Sequence, residues 1–412
     1  MKFLYNISIL FYELAIRICS LWSEKAKQWV KGRESIFERM REAVAVGDKI
    51  IWVHAASLGE FEQGRPVIEE IRAQYPEYKI LLTFFSPSGY EIRKGYEGAD
   101  YIFYLPIDRP SYVKRFLDIV NPEIAIFIKY EFWLNYLSQL RAQGVRTFII
   151  SSIFRQNSIF FKSYGVIFRC ALESFESIFV QDEESKRLLA TIGFDNVIVA
   201  GDTRFDRVWS IVQQAKHNAL VETFKAGQDL MIAGSTWEPD EDIIIPLIES
   251  NPQIKFVIAP HEIGEARVEA LVKRLQGVCS TVRYTECGEG DDLAPYNVLV
   301  LDTMGMLSGV YRYARWAYIG GGFGRGIHNT LEAATFALPI AFGVNYHKFK
   351  EACDLISLGA ATSVDSAQAL NSWFASLLED RAQCDKVSRI SHDYMGRQRG
   401  ATSTIIQTIF VV

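Results

Sequence analysis

Short apolar runs alternate with amphipathic stretches along most of the chain. The runs at 50–54, 80–84, 101–105, 124–128, 147–150, 177–180 and 197–200 read as buried strands. Between them, 62–74, 110–120 and 132–143 carry apolar residues at helical spacing. The pattern restarts at 230–233, 255–259, 298–301, 317–319 and 339–342, again with helices interposed. Strand–helix alternation predicts parallel sheets covered by helices on both faces. Two such series predict an α/β protein of two doubly wound domains, joined near 202–219. The expected boundaries are 1–33 for an N-terminal helix with its basic flank, 34–205 for the first domain and 206–412 for the second. The polar piece 286–292 (ECGEGDD) reads as a surface loop.

The first residues break this rhythm. Residues 3–22 are mostly apolar but include Asn6, Glu13 and Arg17. Their length is near the roughly 20 residues that span a bilayer, and their charges oppose spanning. Glu13 and Arg17 are placed to pair on one helix face. Lys25, Lys27, Lys31 and Arg33 follow, which suits an anionic membrane face. The expectation is a helix lying in, or barely crossing, an inner leaflet. An ordinary amphipathic helix packed on the first domain is the alternative.

Composition narrows the function classes. A chain of 412 residues with 49% hydrophobic and 23% charged residues fits two well-cored domains. A formal charge of −5 argues against broad nucleic-acid binding. Six cysteines are scattered without CxxC or a Cys/His cluster, which points to reduced thiols and to no zinc site.

In open parallel sheets, ligands sit beyond the carboxyl ends of strands, so the residues after each run carry the candidate chemistry. The richest stretch is 319–343, IGGGFGRGIHNTLEAATFALPIAFG. It reads as a strand end, a glycine turn, a helix opening near Asn329 and another strand. Such a turn lets backbone approach a ligand, and a helix N-terminus seats phosphate. Glu332 in the first turn is placed to accept from ribose hydroxyls, which together describes a nucleotide site; a dipole-complementing carboxylate is the plainer alternative. Neither a dinucleotide fingerprint nor a Walker A loop is present.

After the first strand, 54–66 (HAASLGEFEQGRP) places Glu60 at a loop tip, as a general base or as a helix cap. The turn 86–91 (SPSGYE) reads as a helix N-cap able to hold a phosphate or sugar hydroxyl. After the fourth strand, 129–135 (KYEFWLN) places Glu131 beside Trp133, again as chemistry or cap. In 201–206 (GDTRFD), Arg204 is a cation for a departing phosphate or the partner of Asp202 or Asp206. Asp240 and Asp242 spell DxD, but behind Pro239 they read as an acidic first helical turn and not as a metal site. Pro260 and His261 end one strand, and Met304, Gly305 and Met306 follow another, where they can meet a base or phosphate. Finally, 151–169 interleaves aromatics with Arg155, Lys162 and Arg169, which suits an amphipathic phosphate-bearing acceptor or a helix with a solvated basic face.

In order and spacing, HAASLGE (54–60), TFFSPSGYE (83–91), KYEFW (129–133), GDTRFD (201–206), AGSTWEPDE (233–241), APHE (259–262), DTMGML (302–307) and GGGFGRGIHNTLEAA (320–334) resemble the Kdo transferases. These attach 3-deoxy-D-manno-octulosonic acid (Kdo) to the lipid A precursor. The resemblance implies a GT-B fold, two Rossmann-like domains facing across a cleft, with no metal and no cofactor. It implies CMP-Kdo as donor, a bis-phosphorylated disaccharide lipid as acceptor, inversion at the anomeric carbon, a place in lipopolysaccharide synthesis, and the cytoplasmic face of the inner membrane. It implies Glu60 as general base, Glu131 and Arg204 as transition-state stabilisers, and Pro260, His261, Met304, Gly305, Met306, Asn329, Thr330, Leu331 and Glu332 around CMP.

Four positions depart from the pattern: Arg204 for a common Lys, His261 for a frequent Arg, Met306 for a frequent Glu, and Ile327 for a frequent Gly. Arg267 is a second candidate for the phosphate contact that His261 replaces. The competing functions are a GT-B enzyme using a UDP- or ADP-sugar, and a membrane-tethered nucleotide-binding protein without turnover.

Overall fold

The computed structural model describes residues 2–288 and 290–410. Glu289 of the expected 286–292 loop lies outside the described residues. The chain divides into two compact units, Met1–Arg207 with Arg399–Val412, and Val208–Gln398.

The first unit is built on a seven-stranded parallel sheet of β1 (Ile50–Ala55), β2 (Lys79–Phe84), β3 (Tyr101–Tyr104), β4 (Ile124–Ile128), β5 (Arg146–Ser152), β6 (Ser177–Val180) and β7 (Val197–Val199). Their order is β3-β2-β1-β4-β5-β6-β7, which puts β1 and β4 at the centre. Both central strands are buried at every position, as continuous apolar runs in a sheet covered on both faces must be. Trp52, Phe116, Phe127 and Tyr136 fill one face; Phe61, Phe84, Phe148 and Phe179 fill the other.

The second unit repeats the design with β8 (Leu230–Thr236), β9 (Lys255–Pro260), β10 (Thr281–Arg283), β11 (Val298–Val300), β12 (Trp316–Ile319), β13 (Ile340–Phe342) and β14 (Ala361–Ser363), in the order β10-β11-β9-β8-β12-β13-β14. Met231, Phe256, Trp316 and Phe374 lie in its core. Two strands, β10 and β14, have no counterpart in the sequence reading. They are three-residue edge strands, mostly half-buried, and so carry no apolar run to announce them.

The second expected domain, 206–412, differs from the second unit at its end. Helix Ala401–Phe410 packs in the first unit, where Ile405, Ile406 and Ile409 join the core cluster of Phe61, Ile68 and Ile71. Asp206 accepts from the backbone N–H groups of Gly400 (2.8 Å) and Thr402 (2.7 Å), which caps that helix.

The N-terminal helix Lys2–Cys19 turns Tyr5, Asn6 and Glu13 inward. Tyr5 donates to buried Asp108 at 2.6 Å, Asn6 accepts from Asn135 at 2.9 Å, and buried Glu13 pairs with Arg17 (2.8 Å) and Arg109 (3.4 Å). Phe3, Leu4, Phe11, Leu14, Ile18, Leu21 and Trp22 are left exposed. Among the described residues, no helix is long and apolar enough to cross a membrane.

Candidate functional site

In the first unit, the strand ends bring two carboxylates together. Parallel pairing aligns His54 with Phe127, so the turns after β1 and β4 are neighbours. Glu60 is the third residue of helix Leu58–Gln74. Its Oε2 accepts from the Ser57 N–H at 3.0 Å and the Ser57 hydroxyl at 3.3 Å, a capping box. The capping role open in the sequence is therefore real, and it occupies one oxygen. Among the described residues, Oε1 receives no protein hydrogen bond. Burial, and then the charge of Glu131, push the Glu60 carboxyl above its ordinary range; His54, the Ser57 N–H and Lys129 oppose them.

Glu131 is buried and does not cap the helix Leu134–Ala142 that follows it. Its Oε2 meets His54 Nε2 at 3.0 Å and the Trp133 indole N–H at 2.5 Å. Its Oε1, like that of Glu60, takes no protein hydrogen bond among the described residues. Lys129, which ends β4, holds a left-handed backbone at φ 65. Ser151 in β5 (φ 57) and Ser235 in β8 (φ 56) do the same. Non-glycine residues in this region store about 1–3 kcal/mol each and collect where geometry is prescribed.

Arg204 lies at the start of helix Thr203–Gln214, with Nη2 2.7 Å and Nε 2.8 Å from Asp202. The pairing open in the sequence is therefore made with Asp202, while Asp206 serves the C-terminal helix. Arg155 is exposed, and its charge reaches Tyr130, as does that of Glu60. Segment 151–169 is not one amphipathic helix. It contains the short 3-10 turn Ile159–Phe161 and helix Val166–Leu172. Phe154 and Phe160 are buried against Phe132, and Arg169 donates to the Phe160 and Lys162 carbonyls at 2.8 and 3.0 Å. The Arg169 guanidinium thus braces the loop.

In the second unit, Pro260 closes β9 and His261 stands exposed behind it. Trp237, His261 and His328 form a stack, with centroids 4.8 Å apart for Trp237–His261 and 4.2 Å for His261–His328. The Trp237 indole N–H donates to His328 Nε2 at 3.0 Å, which fixes the neutral imidazole with its proton on Nδ1. Burial, and then His261, hold His328 down at about 4. Arg267, the second candidate for the phosphate contact, pairs through Nη2 with buried Glu241.

The glycine turn serves the chain itself. A Cβ on Gly320 would lie 2.2 Å from the Ser235 carbonyl, and one on Gly322 2.5 Å from Gly343 backbone. At these two positions the close approach is backbone against backbone. The helix after the turn is Leu331–Thr335, five residues, with Thr330 as its cap position, so its dipole is small. Asn329 accepts from the Leu331 N–H at 3.1 Å and donates to Glu332 at 3.0 Å. Burial raises the Glu332 carboxyl, opposed by hydrogen bonds from Ser308 and Asn329. Met304 is exposed, Gly305 has φ 81, and the Met306 sulfur accepts from Thr303.

Asp240 is buried and takes hydrogen bonds from the Trp237 N–H, the Gly321 N–H and the Tyr318 hydroxyl, at 2.9, 2.9 and 2.8 Å. Asp242 pairs with Arg274 at 2.5 Å. Asp240 is thus a latch between the first turn of helix Glu238–Ser250 and the glycine loop, while Asp242 ties that turn to helix Glu265–Gln276.

The sequence reading missed His54 and Thr83. A histidine inside the run IIWVHA was the available signal, since a buried polar ring in a strand must find partners.

Comparison with known proteins identifies the chain's relatives. Residues 31–207 match the family model described as 3-deoxy-D-manno-octulosonic-acid transferase (kdotransferase). The 3-deoxy-D-manno-octulosonic acid transferase of Haemophilus influenzae is 26% identical over 375 residues, 87% of this chain and 86% of that one. That of Bordetella pertussis is 26% identical over 424 residues, covering 97% and 98%. Among solved structures, UDP-GlcNAc 2-epimerase from Neisseria meningitidis superposes with a TM-score of 0.60 at 16% identity, over 88% of this chain and 99% of that one. Acinetobacter baumannii MurG gives 0.55 at 13%, over 88% and 99%. These likenesses place the fold in the GT-B class.

Proposed function

We propose that this chain, a member of the Kdo transferase family, moves Kdo from CMP-Kdo to a hydroxyl of the lipid A precursor (lipid IVA), with Glu60 as general base and without a metal. The observation that carries this reading is the pair of carboxylates after β1 and β4, each held by Oε2 with Oε1 uncommitted among the described residues.

Glu60 takes the acceptor proton as the hydroxyl oxygen attacks the anomeric carbon. Its raised proton affinity brings it toward the range where a base is both ionised and effective. The anomeric carbon of Kdo bears no hydrogen, so positive charge develops there as CMP leaves. The anionic Glu131 suits that charge. The leaving phosphate needs cations and N–H donors and no acid; Arg204 supplies one such charge. The segments of Pro260–His261, Met304–Met306 and Asn329–Glu332 are the proposed CMP seat.

Both Asp240 and Asp242 have protein partners, which supports a reaction without a divalent ion at that motif. The apolar outer face of helix Lys2–Cys19 supports association with the cytoplasmic face of the inner membrane, where the lipid acceptor resides.

The test incubates the protein with lipid acceptor and a CMP-Kdo-generating system, with and without EDTA, and weighs the lipid product. A gain of Kdo in both arms is expected. Glu60→Gln should abolish transfer while CMP, and not UDP, still raises the melting temperature. Unchanged transfer by Glu60→Gln would reject the base, and protection by UDP alone would reject the donor.

A further inference from the structure

Phe85, the first residue after β2, stands between the N-terminal helices and the Glu131 carboxylate. Its ring centroid lies 4.7 Å from that of Trp133, with the planes 36° apart. The Trp133 indole N–H, which can only donate, reaches Glu131 Oε2 at 2.5 Å and lies 3.2 Å from His54 Nε2. From the other side, Tyr12 of helix Lys2–Cys19 stacks on Phe85 at 6.1 Å and 25°. Trp29 of helix Glu24–Lys31 meets the same ring at 5.8 Å and 69°. Arg33 holds the residue twice: its guanidinium carbon is 5.0 Å from the ring centroid, and Nη2 donates to the Phe85 carbonyl at 2.9 Å. Its other nitrogens donate to the Leu105 and Trp29 carbonyls at 2.9 and 3.1 Å, which ties Phe85 to the end of β3 and to helix Glu24–Lys31. Ile9, Trp29 and Ile107 form a small apolar cluster of their own, and Tyr5, Ile16, Phe85 and Trp133 pack against it.

The same N-terminal helix fixes the backbone behind Trp133, the cap residue of helix Leu134–Ala142. The first turn of that helix takes its side-chain acceptor from buried Asp108, which receives the Asn135 and Tyr136 N–H groups, both at 3.0 Å. Tyr5 donates to Asp108 at 2.6 Å, and the Asn135 amide donates to Asn6 at 2.9 Å and to the Asp108 carbonyl at 2.6 Å. Ring and backbone of Trp133 are thus both held from the N-terminal helix.

We propose that Phe85 is a positioning residue for the transfer reaction, carrying the seating of the N-terminal helices to the Trp133 indole and through it to the Glu131 carboxylate. The proposal rests on the reading that Glu131 stabilises the transferring sugar. Glu131 Oε2 is approached from two sides. The inner side is His54, fully buried in β1, with Nδ1 2.9 Å from the Thr83 hydroxyl. The outer side is Trp133, half-buried on the turn after β4. An indole there keeps its N–H on one oxygen only if its two side-chain torsions are held by packing. Phe85 supplies that packing, and Tyr12, Trp29 and Arg33 hold Phe85. Phe85 touches no substrate in this scheme; it acts through Trp133. The helix whose outer face is proposed to meet the membrane is, on its inner side, a strut of the reaction site.

The experiment measures kcat and KM on the intact chain with lipid acceptor dispersed in detergent micelles, so that docking to a bilayer does not limit the rate. Phe85→Ala should lower kcat about tenfold to a hundredfold, the scale on which a displaced catalytic group loses rate. KM for CMP-Kdo should change by no more than about twofold. Trp133→Phe, which keeps a ring and removes the donor, should lose kcat to a similar extent. Phe85→Ala added to Trp133→Phe should lower kcat no further, because its effect passes through the indole N–H. Tyr12→Ala, one ring further out, should lower kcat by a smaller factor and likewise add nothing to Trp133→Phe. A loss of fold alone would lower kcat in both backgrounds. Unchanged kcat in Phe85→Ala, a change confined to KM, full kcat in Trp133→Phe, or the same proportional loss from Phe85→Ala in both backgrounds overturns the proposal. If Phe85→Ala does not fold, Tyr12→Ala decides by the same criteria. Full transfer by Glu131→Gln would instead overturn the reading of Glu131, and this inference with it.

Discussion

The imidazoles of His261 and His328 stack 4.2 Å apart with their planes 21° from parallel. Two rings that close resist carrying two charges. Folding depresses the His328 pKa from 6.5 to about 4, through burial first and His261 second. Between those values the unfolded chain binds more protons, so stability present above pH 6.5 is lost as pH falls toward 4. His261→Ala removes only the second cause. Nuclear magnetic resonance titration of His328 should then show its pKa moving part of the way up. No movement would mean that the stack carries no electrostatic coupling.

Glu60 owes its raised proton affinity to burial first and to Glu131 second. If Glu60 is the base proposed above, it must be ionised to work, and the acidic limb of kcat/KM reports its titration. In Glu131→Gln the residual activity should show that limb displaced to lower pH, since the second of the two raising causes is gone. A limb displaced upward would refute the charge relation between the two carboxylates.

The glycines of 320–324 differ in what a methyl group would meet. On Gly320 and Gly322 it would strike backbone at 2.2 and 2.5 Å, whereas on Gly324 it would rest 3.7 Å from the Gly321 carbonyl. Gly320→Ala and Gly322→Ala should each destabilise the second unit by about 1–3 kcal/mol or more, and Gly324→Ala by far less. Thermal melts of the three variants test the order. Equal losses would show that the loop can relax around the added carbon.

The two sides of the N-terminal helix should separate in experiment. Phe11 and Trp22 are 67% and 72% exposed. Phe11→Asp with Trp22→Asp should abolish sedimentation with phosphatidylglycerol vesicles and change the folding free energy by no more than about 0.5 kcal/mol per site. Tyr5→Phe leaves buried Asp108 short of a donor and should cost about 1–3 kcal/mol, with vesicle binding kept. Unchanged sedimentation of the double variant would remove the membrane role from this face.

The central strands were legible because β1 and β4 are buried on both sides and can only be written in apolar residues. The edge strands β10 and β14 were not, since half-buried TVR and ATS obey no such demand. Glu60, Glu131 and Arg204 stood out as candidates because strand ends in a parallel sheet are few and each bears a charge. Their partners were harder. A capping box and a general base use the same residue at the same spacing, and only coordinates show one oxygen doing the first. The glycine loop could not be resolved from sequence: glycines register that something approaches the backbone closely, and at Gly320 and Gly322 the backbone of Ser235 and Gly343 does so.

The return of segment 399–410 to the first unit orders events on the ribosome. Ile405, Ile406 and Ile409 cover the same sheet face as Phe61 and Ile71, yet they are synthesised after the whole of Val208–Gln398. The first unit therefore cannot complete its core until the second has been translated. While the nascent chain waits, an apolar strip along helix Leu58–Gln74, the element that carries Glu60, stays open to chaperones.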